Sequence, residues 1–202
     1  MIGVLVSGNG SNLQALLGAG LPVTAVAANR KDAYALVRAR EAGIAAATFS
    51  LDCHADRAER DLVMATWLEE HGVELVVLAG YMHLLTAPFL KRFPERVINV
   101  HPSLLPAFPG AHAIDDAVAA GVESTGVSVH YVDEGLDSGP LIAQEHVPVA
   151  PRETLVEPPD EWGGRAIQAW GRQLAGGARY CPSIETALQV ASVMDRIYGR
   201  QA

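Results

Sequence analysis

Short apolar runs alternate with longer segments of helical periodicity along the first two thirds of the chain. In the helical segments, apolar residues recur every three or four positions and strong helix formers fill many of the others. This pattern predicts helices over residues 33–42 and 57–71, and a further helix that begins after the polar stretch 7–12. The apolar runs predict strands at residues 2–6, 23–28, 44–49, 75–79 and 97–100.

Such an alternation of strands and helices is typical of a parallel sheet covered by helices. Residues 75–79 are apolar at every position, as expected of a strand that is buried on both faces. Two later strands are predicted at 127–132 and 141–149, with turn residues at 137–140 between them. No internal repeat or linker is evident before residue 150. We therefore predict a single α/β domain with a mostly parallel central sheet and helices on both faces.

The composition narrows the class of protein. The chain has 202 residues, of which 50% are hydrophobic and 19% charged, and its formal net charge is −8. A mainly disordered chain is excluded by these values, which are typical of one globular domain. The negative charge argues against general binding to nucleic acids or anionic membranes. No apolar run reaches the roughly 18 residues that a membrane span needs.

The cysteines and the start of the chain favour the cytoplasm. Cys53 and Cys181 are too few to form a disulfide framework, which is usual in a reducing compartment. Met1 leads directly into the first predicted strand, without the basic and small-residue segments of a secretory signal peptide. We therefore expect a cytoplasmic protein.

A glycine-rich loop, Ser-Gly-Asn-Gly-Ser-Asn at residues 7–12, separates the first strand from the first helix. Glycines let a ligand approach the backbone closely, and the free N–H groups of a helix N-terminus favour an anion such as phosphate. A plain turn in which Ser11 or Asn12 caps the helix explains the loop about as well. The loop matches neither the Walker pattern nor GxGxxG, so it gives little support to NTP or dinucleotide binding.

The second candidate cluster follows a predicted central strand, in the sequence Asn-Val-His-Pro-Ser at residues 99–103. Open α/β sheets bind ligands outside the carboxyl ends of their strands. Asn99 and His101 are two positions apart, so in extended chain their side chains point to the same side. An amide and an imidazole together can hold a carbonyl oxygen and stabilise the oxyanion that forms when the carbonyl is attacked. A pair that only hydrogen-bonds loop backbone is the simpler alternative.

The third cluster is an acidic, glycine-containing loop that begins at Asp133 and ends at Pro140. It is consistent with a solvated turn or with a metal-binding loop, although its spacing does not match an EF-hand and the histidines form no zinc signature. A carboxylate of this loop next to His101 would favour the imidazolium form of the ring. No catalytic triad or G-x-S-x-G elbow is evident.

Four motifs in order resemble the folate-dependent formyltransferase family: SGNGSNLQAL, LAGYMHLL, NVHPSLLPAFPGAHA and GVSVHYVDEGLDSGPLI. The resemblance runs from residue 1 to about residue 155 and implies a formyltransferase-type Rossmann-like domain. The opening SGNGSN resembles the branch that acts on glycinamide ribonucleotide. The implied reaction transfers the formyl group of 10-formyltetrahydrofolate to the amine of glycinamide ribonucleotide in purine biosynthesis, with no metal.

The resemblance also implies roles for individual residues. The catalytic trio is Asn99, His101 and Asp137. The ribonucleotide phosphate lies against Gly10, Ser11 and Asn12. His112 and His130 are interpreted as structural or supporting residues. The implied folate-binding residues are Arg57, near the glutamate tail, Met82, His83, Leu84 and Leu85 on one side, and Asp133, Glu134, Gly135 and Leu136 on the other.

Two other functions are also compatible with the sequence. A hydrolase that releases formate from the same folate would use water as the acceptor, and a folate- or nucleotide-binding relic would bind without turnover. The expected partners are the two small-molecule substrates, and the chain is expected to be a monomer or a homodimer.

Residues 156–202 depart from the family pattern, which continues with a long amphipathic helix. Pro158-Pro159, Gly163-Gly164 and Gly176-Gly177 oppose such a helix. One interpretation is lineage divergence, with a terminal helix at residues 184–198. The other is a shift of reading frame near residue 155. We therefore treat residues 1–155 as the formyltransferase domain and 156–202 as an atypical C-terminal segment.

Overall fold

A computed structural model describes residues 1–148 of the chain. Seven strands and five α-helices alternate along these residues, with a short 3₁₀ turn at Leu51–Cys53. The strands are β1 Ile2–Val6, β2 Val23–Ala28, β3 Ala45–Thr48, β4 Leu75–Leu78, β5 Val97–His101, β6 Ser124–Tyr131 and β7 Leu141–Pro148. The helices are α1 Ser11–Gly18, α2 Ala35–Glu41, α3 Arg57–Glu70, α4 Ala87–Arg92 and α5 Ala113–Ala119.

The seven strands form one sheet in the order β3-β2-β1-β4-β5-β6-β7. Strands β1 to β5 are parallel to one another, whereas β6 runs antiparallel to β5 and β7 antiparallel to β6. The predicted mostly parallel α/β sheet is therefore confirmed. Its two antiparallel strands are placed at one edge, beyond the five parallel ones.

Helices cover both faces of the sheet because alternate residues of each strand point to opposite sides. Val4 of β1 belongs to a core with Leu16 of α1 and Leu36 of α2. The next residue, Leu5, belongs to a second core, with Met64 of α3 and Phe89 of α4. Burial of the whole β1 strand explains why its sequence is apolar at nearly every position.

The strand order reverses between β1 and β4. From β1 the chain moves to β2 and β3 on one side, and it then crosses back to place β4 and β5 on the other side. In open α/β sheets a crevice forms at such a reversal, outside the carboxyl ends of the strands. The loops that follow β1, β4 and β5 meet there.

Most boundaries of the predicted helices and strands lie within two residues of those observed, but two observed helices were not predicted. The helices α4 and α5 have six and seven residues, which is too short for apolar periodicity to show. Within residues 1–148, no helix combines the length and hydrophobicity that would be needed to cross a membrane. The division at residue 155, the terminal helix at 184–198 and the end of the strand 141–149 fall outside the described residues.

Candidate active site

A cavity of about 560 Å³ lies at the carboxyl ends of β1, β4 and β5 and extends to the loop between β6 and β7. Gly10, Arg57 and Glu134 do not line it, and Arg57 and Glu134 are exposed. The other predicted site residues all contribute to its wall: Ser11, Asn12, Met82, His83, Leu84, Leu85, Asn99, His101, Asp133, Gly135, Leu136 and Asp137.

The first wall of the cavity is the start of α1. Gly10 is the N-cap residue, with a positive φ of 78°, and no side chain caps the helix. The interpretation in which Ser11 or Asn12 is the cap is therefore wrong. A Cβ at position 10 would lie 2.5 Å from Cβ of Ala35, so only glycine fits both the backbone and the space. Ser11 and Asn12 open the helix at the cavity, where N–H groups of a first turn have no partner within a helix.

Arg38 of α2 holds this loop in place. Its Nε donates to the Asn9 carbonyl oxygen (3.0 Å), its Nη2 to Asn9 Oδ1 (2.9 Å) and its Nη1 to Gln14 Oε1 (3.0 Å). The guanidinium also lies over the ring of Tyr34, 5.0 Å from the ring centroid. Sequence reasoning missed Arg38, because an arginine on an amphipathic helix has the pattern of an ordinary exposed residue.

The second wall brings Asn99, His101 and Asp137 together. Asn99 and His101 are two residues apart on β5, and Asp137 comes from the loop between β6 and β7. Oδ1 of Asp137 accepts a hydrogen bond from Asn99 Nδ2 at 3.2 Å, and Oδ2 lies 3.3 Å from His101 Nδ1. One carboxylate thus contacts both of the side chains that β5 presents.

His101 is nearly fully buried, and both of its ring nitrogens face oxygen acceptors. Nδ1 faces the Asp137 carboxylate, and Nε2 lies 2.8 Å from the Phe108 carbonyl oxygen. Carboxylate and carbonyl oxygens accept hydrogen bonds and cannot donate them. The imidazolium, with a proton on each nitrogen, is therefore the form of His101 that satisfies both contacts.

Asp137 is held in an unusual backbone conformation, with a positive φ of 50°. Its side chain is only 10% exposed, and its Oδ2 accepts a hydrogen bond from Gly110 N at 2.8 Å. Burial acts to raise the pKa of Asp137, but contact with His130, the Gly110 N–H group and the nearby histidine charges outweigh burial and lower the pKa. The carboxylate form is thus favoured.

His130 of β6 completes this cluster from the opposite strand, where it pairs in register with Asn99. Its Nε2 lies 3.1 Å from Asn99 Nδ2 and 3.5 Å from Asp137 Oδ1, and its Nδ1 donates to the Tyr131 carbonyl oxygen at 2.7 Å. It therefore contacts two members of the trio. The side chain of His112, by contrast, is 80% exposed, its Nδ1 lies 3.9 Å from Asp115 Oδ2, and it does not itself line the cavity.

Apolar side chains from two loops line the remainder of the cavity. Met82 and Leu84 follow β4 and Leu136 precedes Asp137, and all three are exposed at the cavity. The β4 loop is joined to the β1 loop by a hydrogen bond from Met82 N to Ser7 Oγ (2.9 Å). Exposed apolar residues collected at a cavity are typical of a site for an apolar or aromatic ligand.

The acidic loop is folded by its own side chains. Asp133 Oδ1 accepts hydrogen bonds from Gly135 N (3.0 Å) and Ser138 Oγ (2.8 Å). Among residues 1–148, no three histidine, cysteine, aspartate or glutamate side chains are grouped so that they could hold a metal ion.

Comparison with known proteins relates the chain to one enzyme family. The formyl transferase family matches residues 1–160. Phosphoribosylglycinamide formyltransferase from Haemophilus influenzae is 39% identical over 162 residues, which cover 77% of this chain and 76% of the relative. The Escherichia coli protein of the same name is 43% identical over 152 residues, 72% of each chain. The structure of glycinamide ribonucleotide transformylase 1 from Symbiobacterium toebii aligns with a TM-score of 0.74 and 38% identity, over 96% of this chain and 84% of that one.

Proposed function

Because the chain belongs to the formyl transferase family, we infer that it is an enzyme of purine biosynthesis that transfers a formyl group from a folate-derived donor to the amine of glycinamide ribonucleotide. The observation that carries this function is the meeting of two features in one cavity. The open N-terminus of α1 suits a phosphate, and the Asn99–His101–Asp137 cluster suits a carbonyl under attack.

The ribonucleotide lies along the β1 side of the cavity in this proposal. Its phosphate accepts hydrogen bonds from the backbone N–H groups of the first turn of α1, at Ser11 and Asn12. Arg38 supports the loop from behind through Asn9 and Gln14, and its charge adds to the positive end of the helix dipole. The amine of the substrate then reaches towards Asn99 and His101.

The formyl donor lies along the β4 side of the cavity. We propose that it is 10-formyltetrahydrofolate, whose aromatic ring system fits between Met82 and Leu84 on one loop and Leu136 on the other. The formyl carbon would then lie beside the Asn99–His101–Asp137 cluster. Binding both substrates side by side removes much of the entropic cost of the encounter.

The reaction is a direct acyl transfer. The neutral amine of glycinamide ribonucleotide forms a bond to the formyl carbon, and the formyl oxygen becomes an oxyanion. The bond between the formyl carbon and the folate nitrogen then breaks, and a proton passes from the attacking nitrogen to the leaving nitrogen. Asn99 and the His101 imidazolium stabilise the oxyanion, and Asp137 keeps His101 charged.

Both oxyanion-stabilising groups have protein partners in the described structure. Asn99 Nδ2 contacts Asp137 and His130, and His101 Nε2 contacts the Phe108 carbonyl. His101 can stabilise the formyl oxygen through its positive charge while its ring keeps both contacts, with Asp137 and with the Phe108 carbonyl. A direct hydrogen bond from Nε2 would require the formyl oxygen to replace the Phe108 carbonyl. Catalytic hydrogen bonds are often completed only when substrate is bound.

The test is to mix purified protein with 10-formyltetrahydrofolate, with and without glycinamide ribonucleotide, and to follow release of the deformylated folate. Release that depends on the ribonucleotide is expected. Release without it would indicate the hydrolase, with water as the acceptor. No release from folded protein would indicate a binding relic. Either of the last two results would overturn the proposed transfer.

A further inference from the structure

Arg60 is a fully buried cation on the face of α3 that packs behind the folate side of the cavity. Its Nε donates to Asp61 Oδ1 at 2.9 Å, and Asp61 is also fully buried. The other carboxylate oxygen of Asp61 accepts a hydrogen bond from Thr86 N at 2.8 Å. The buried ion pair therefore joins α3 to the loop that follows β4. Such pairs often add little net stability, because both charges lose their hydration.

The remaining arm of Arg60 reaches a residue of the cavity wall. Arg60 Nη1 lies 2.6 Å from His83 Nδ1. A guanidinium has only donors and keeps its proton in proteins, so His83 Nδ1 must be the acceptor. The ring of His83 is then neutral and carries its proton on Nε2. Within residues 1–148 no hydrogen bond engages that second nitrogen, and the ring lines the cavity.

The surroundings of His83 oppose a positive charge on its ring. Burial lowers the pKa of His83, and the charges of Arg60 and Arg57 on α3 lower it further, while Asp61 acts weakly in the opposite direction. Tyr81, on the same loop, presents its ring at an angle of 63° with a centroid separation of 5.9 Å. The hydrogen bond from Arg60 and the local charges therefore favour the same neutral form.

We propose that Arg60 is a positioning residue that holds His83 as a neutral imidazole and presents its Nε2–H group as a hydrogen-bond donor to the folate. This inference rests on the proposed function for the identity of the ligand. A free histidine exchanges two neutral tautomers and gains a second proton at a pH near 6.5. The hydrogen bond from Arg60 opposes both the exchange of tautomers and the gain of a second proton. The donor on the cavity wall therefore keeps one form across the pH range in which an ordinary histidine titrates.

The form of His83 can be observed directly in the free protein. Long-range ¹H–¹⁵N correlation spectra of ¹⁵N-labelled protein distinguish the two neutral tautomers and the imidazolium, and the signals lost in His83→Gln assign the ring. We expect His83 to keep the neutral Nε2–H pattern as the pH is lowered from 8 through the ordinary histidine range near 6.5. Titration of His83 within the ordinary histidine range, or a proton on Nδ1 of the neutral ring, would overturn the proposal.

The role of Arg60 is tested by the double variant Arg60→Leu with Asp61→Asn. It removes both buried charges together, so no uncompensated charge remains, and the asparagine oxygen can still accept from Thr86 N. In this variant we expect His83 to titrate near its ordinary pH. At pH 8 the ring is neutral but no longer held by Arg60, so it can rotate or carry its proton on Nδ1 instead of Nε2. At this pH we expect KM for the formyl donor to rise about three- to tenfold, as for one weakened hydrogen bond, with kcat within about twofold of the parent enzyme.

A neutral substitute separates positioning from packing. His83→Gln keeps an uncharged N–H donor and is expected to retain a KM within about threefold, whereas His83→Ala is expected to lose as much as the double variant. An unchanged KM at pH 8 in both His83→Ala and the double variant would overturn the inference. If the parent enzyme transfers formyl but His83 titrates ordinarily, only this inference fails. If the parent enzyme transfers nothing, the proposed function fails, whatever the spectra show.

Discussion

Replacing Asp137 by asparagine removes the negative charge beside His101 while it keeps the size and shape of the side chain. Oδ2 of Asp137 faces His101 Nδ1 and Gly110 N, and Oδ1 faces Asn99 Nδ2. These three partners are donors, so in either orientation the amide nitrogen takes the place of an oxygen that accepts from at least one of them, although His130 Nε2 also lies 3.5 Å from the Oδ1 position. The variant therefore loses an ion pair and at least one hydrogen bond, and His101 loses the group that favours its charged form.

The size of the effect follows from the geometry of the ion pair. Two unit charges 3.3 Å apart attract each other by about 5 kcal/mol at an effective dielectric constant of about 20. Since about 1.4 kcal/mol corresponds to one factor of ten, the full loss sets an upper limit between three and four decades in rate. Removal of a single oxyanion-stabilising donor usually costs about a hundredfold or more. We expect kcat of Asp137→Asn to fall by about 100- to 1,000-fold.

The assay follows release of deformylated folate under saturation with both substrates, so that kcat is separated from binding. Asp115→Asn is the matched control, because it makes the same chemical change in an exposed aspartate that lies near His112, at a distance of 3.9 Å. We expect the control to keep its activity. Thermal unfolding of both variants verifies that each protein is folded.

The reasoning is refuted if folded Asp137→Asn turns over within about threefold of the parent enzyme, which is the range that a surface charge change can produce. A loss in Asp115→Asn equal to that in Asp137→Asn would refute it as well, because burial of the pair would then have no bearing on the rate.

Three further predictions concern pH, the phosphate loop and a buried hydroxyl. The pKa of Asp137 is lowered in the folded protein, so its ionisation stabilises the fold above the ordinary carboxyl range, and this contribution is lost as pH falls through the lowered pKa. The free energy of unfolding, measured with urea between pH 7 and pH 3, should therefore decrease more steeply for the parent protein than for Asp137→Asn. Parallel curves would contradict this. Gly10→Ala should raise KM for the ribonucleotide about tenfold, because the new Cβ strains the backbone and meets Ala35. Gly20 also has a positive φ but has open space around it, so the control Gly20→Ala should lower only the Tm. Tyr81→Phe removes a buried hydroxyl that has no hydrogen-bond partner within residues 1–148. Denaturant titration should show a free energy of unfolding that is unchanged or about 1 kcal/mol higher. A decrease of about 1 kcal/mol or more would reveal a partner for the hydroxyl.

The parallel half of the fold was predictable because its central strands β1, β2 and β4 are short, apolar and buried at nearly every position. Val4 and Leu5 contribute to opposite cores, and this two-sided burial leaves a continuous apolar run in the sequence. The shared side of Asn99 and His101 was predictable for a related reason, since strand geometry relates residues two positions apart. Both inferences depend only on local periodicity.

The approach of Asp137 to His101 could not be derived from local pattern, and it came only from the family resemblance. The two residues are separated by α5, β6 and a turn, and their contact depends on the antiparallel pairing of β5 with β6. The roles of Arg60 and Arg38 could not be predicted from the sequence for a different reason. Charged residues on a helix usually face solvent, so neither a buried ion pair nor a clamp on a neighbouring loop leaves a distinct pattern in sequence.

The positive φ of Asp137 has a consequence for how this enzyme can lose activity by mutation. Aspartate, asparagine and glycine are the residues that tolerate the left-handed region best. The codons of asparagine and glycine each differ from those of aspartate by a single base. Two single-base changes at this position are therefore compatible with the backbone although they remove the carboxylate. We expect such alleles to produce folded protein that keeps the other residues of the cavity wall, and in a cell that also carries the active gene the inactive copies would compete for ribonucleotide and folate.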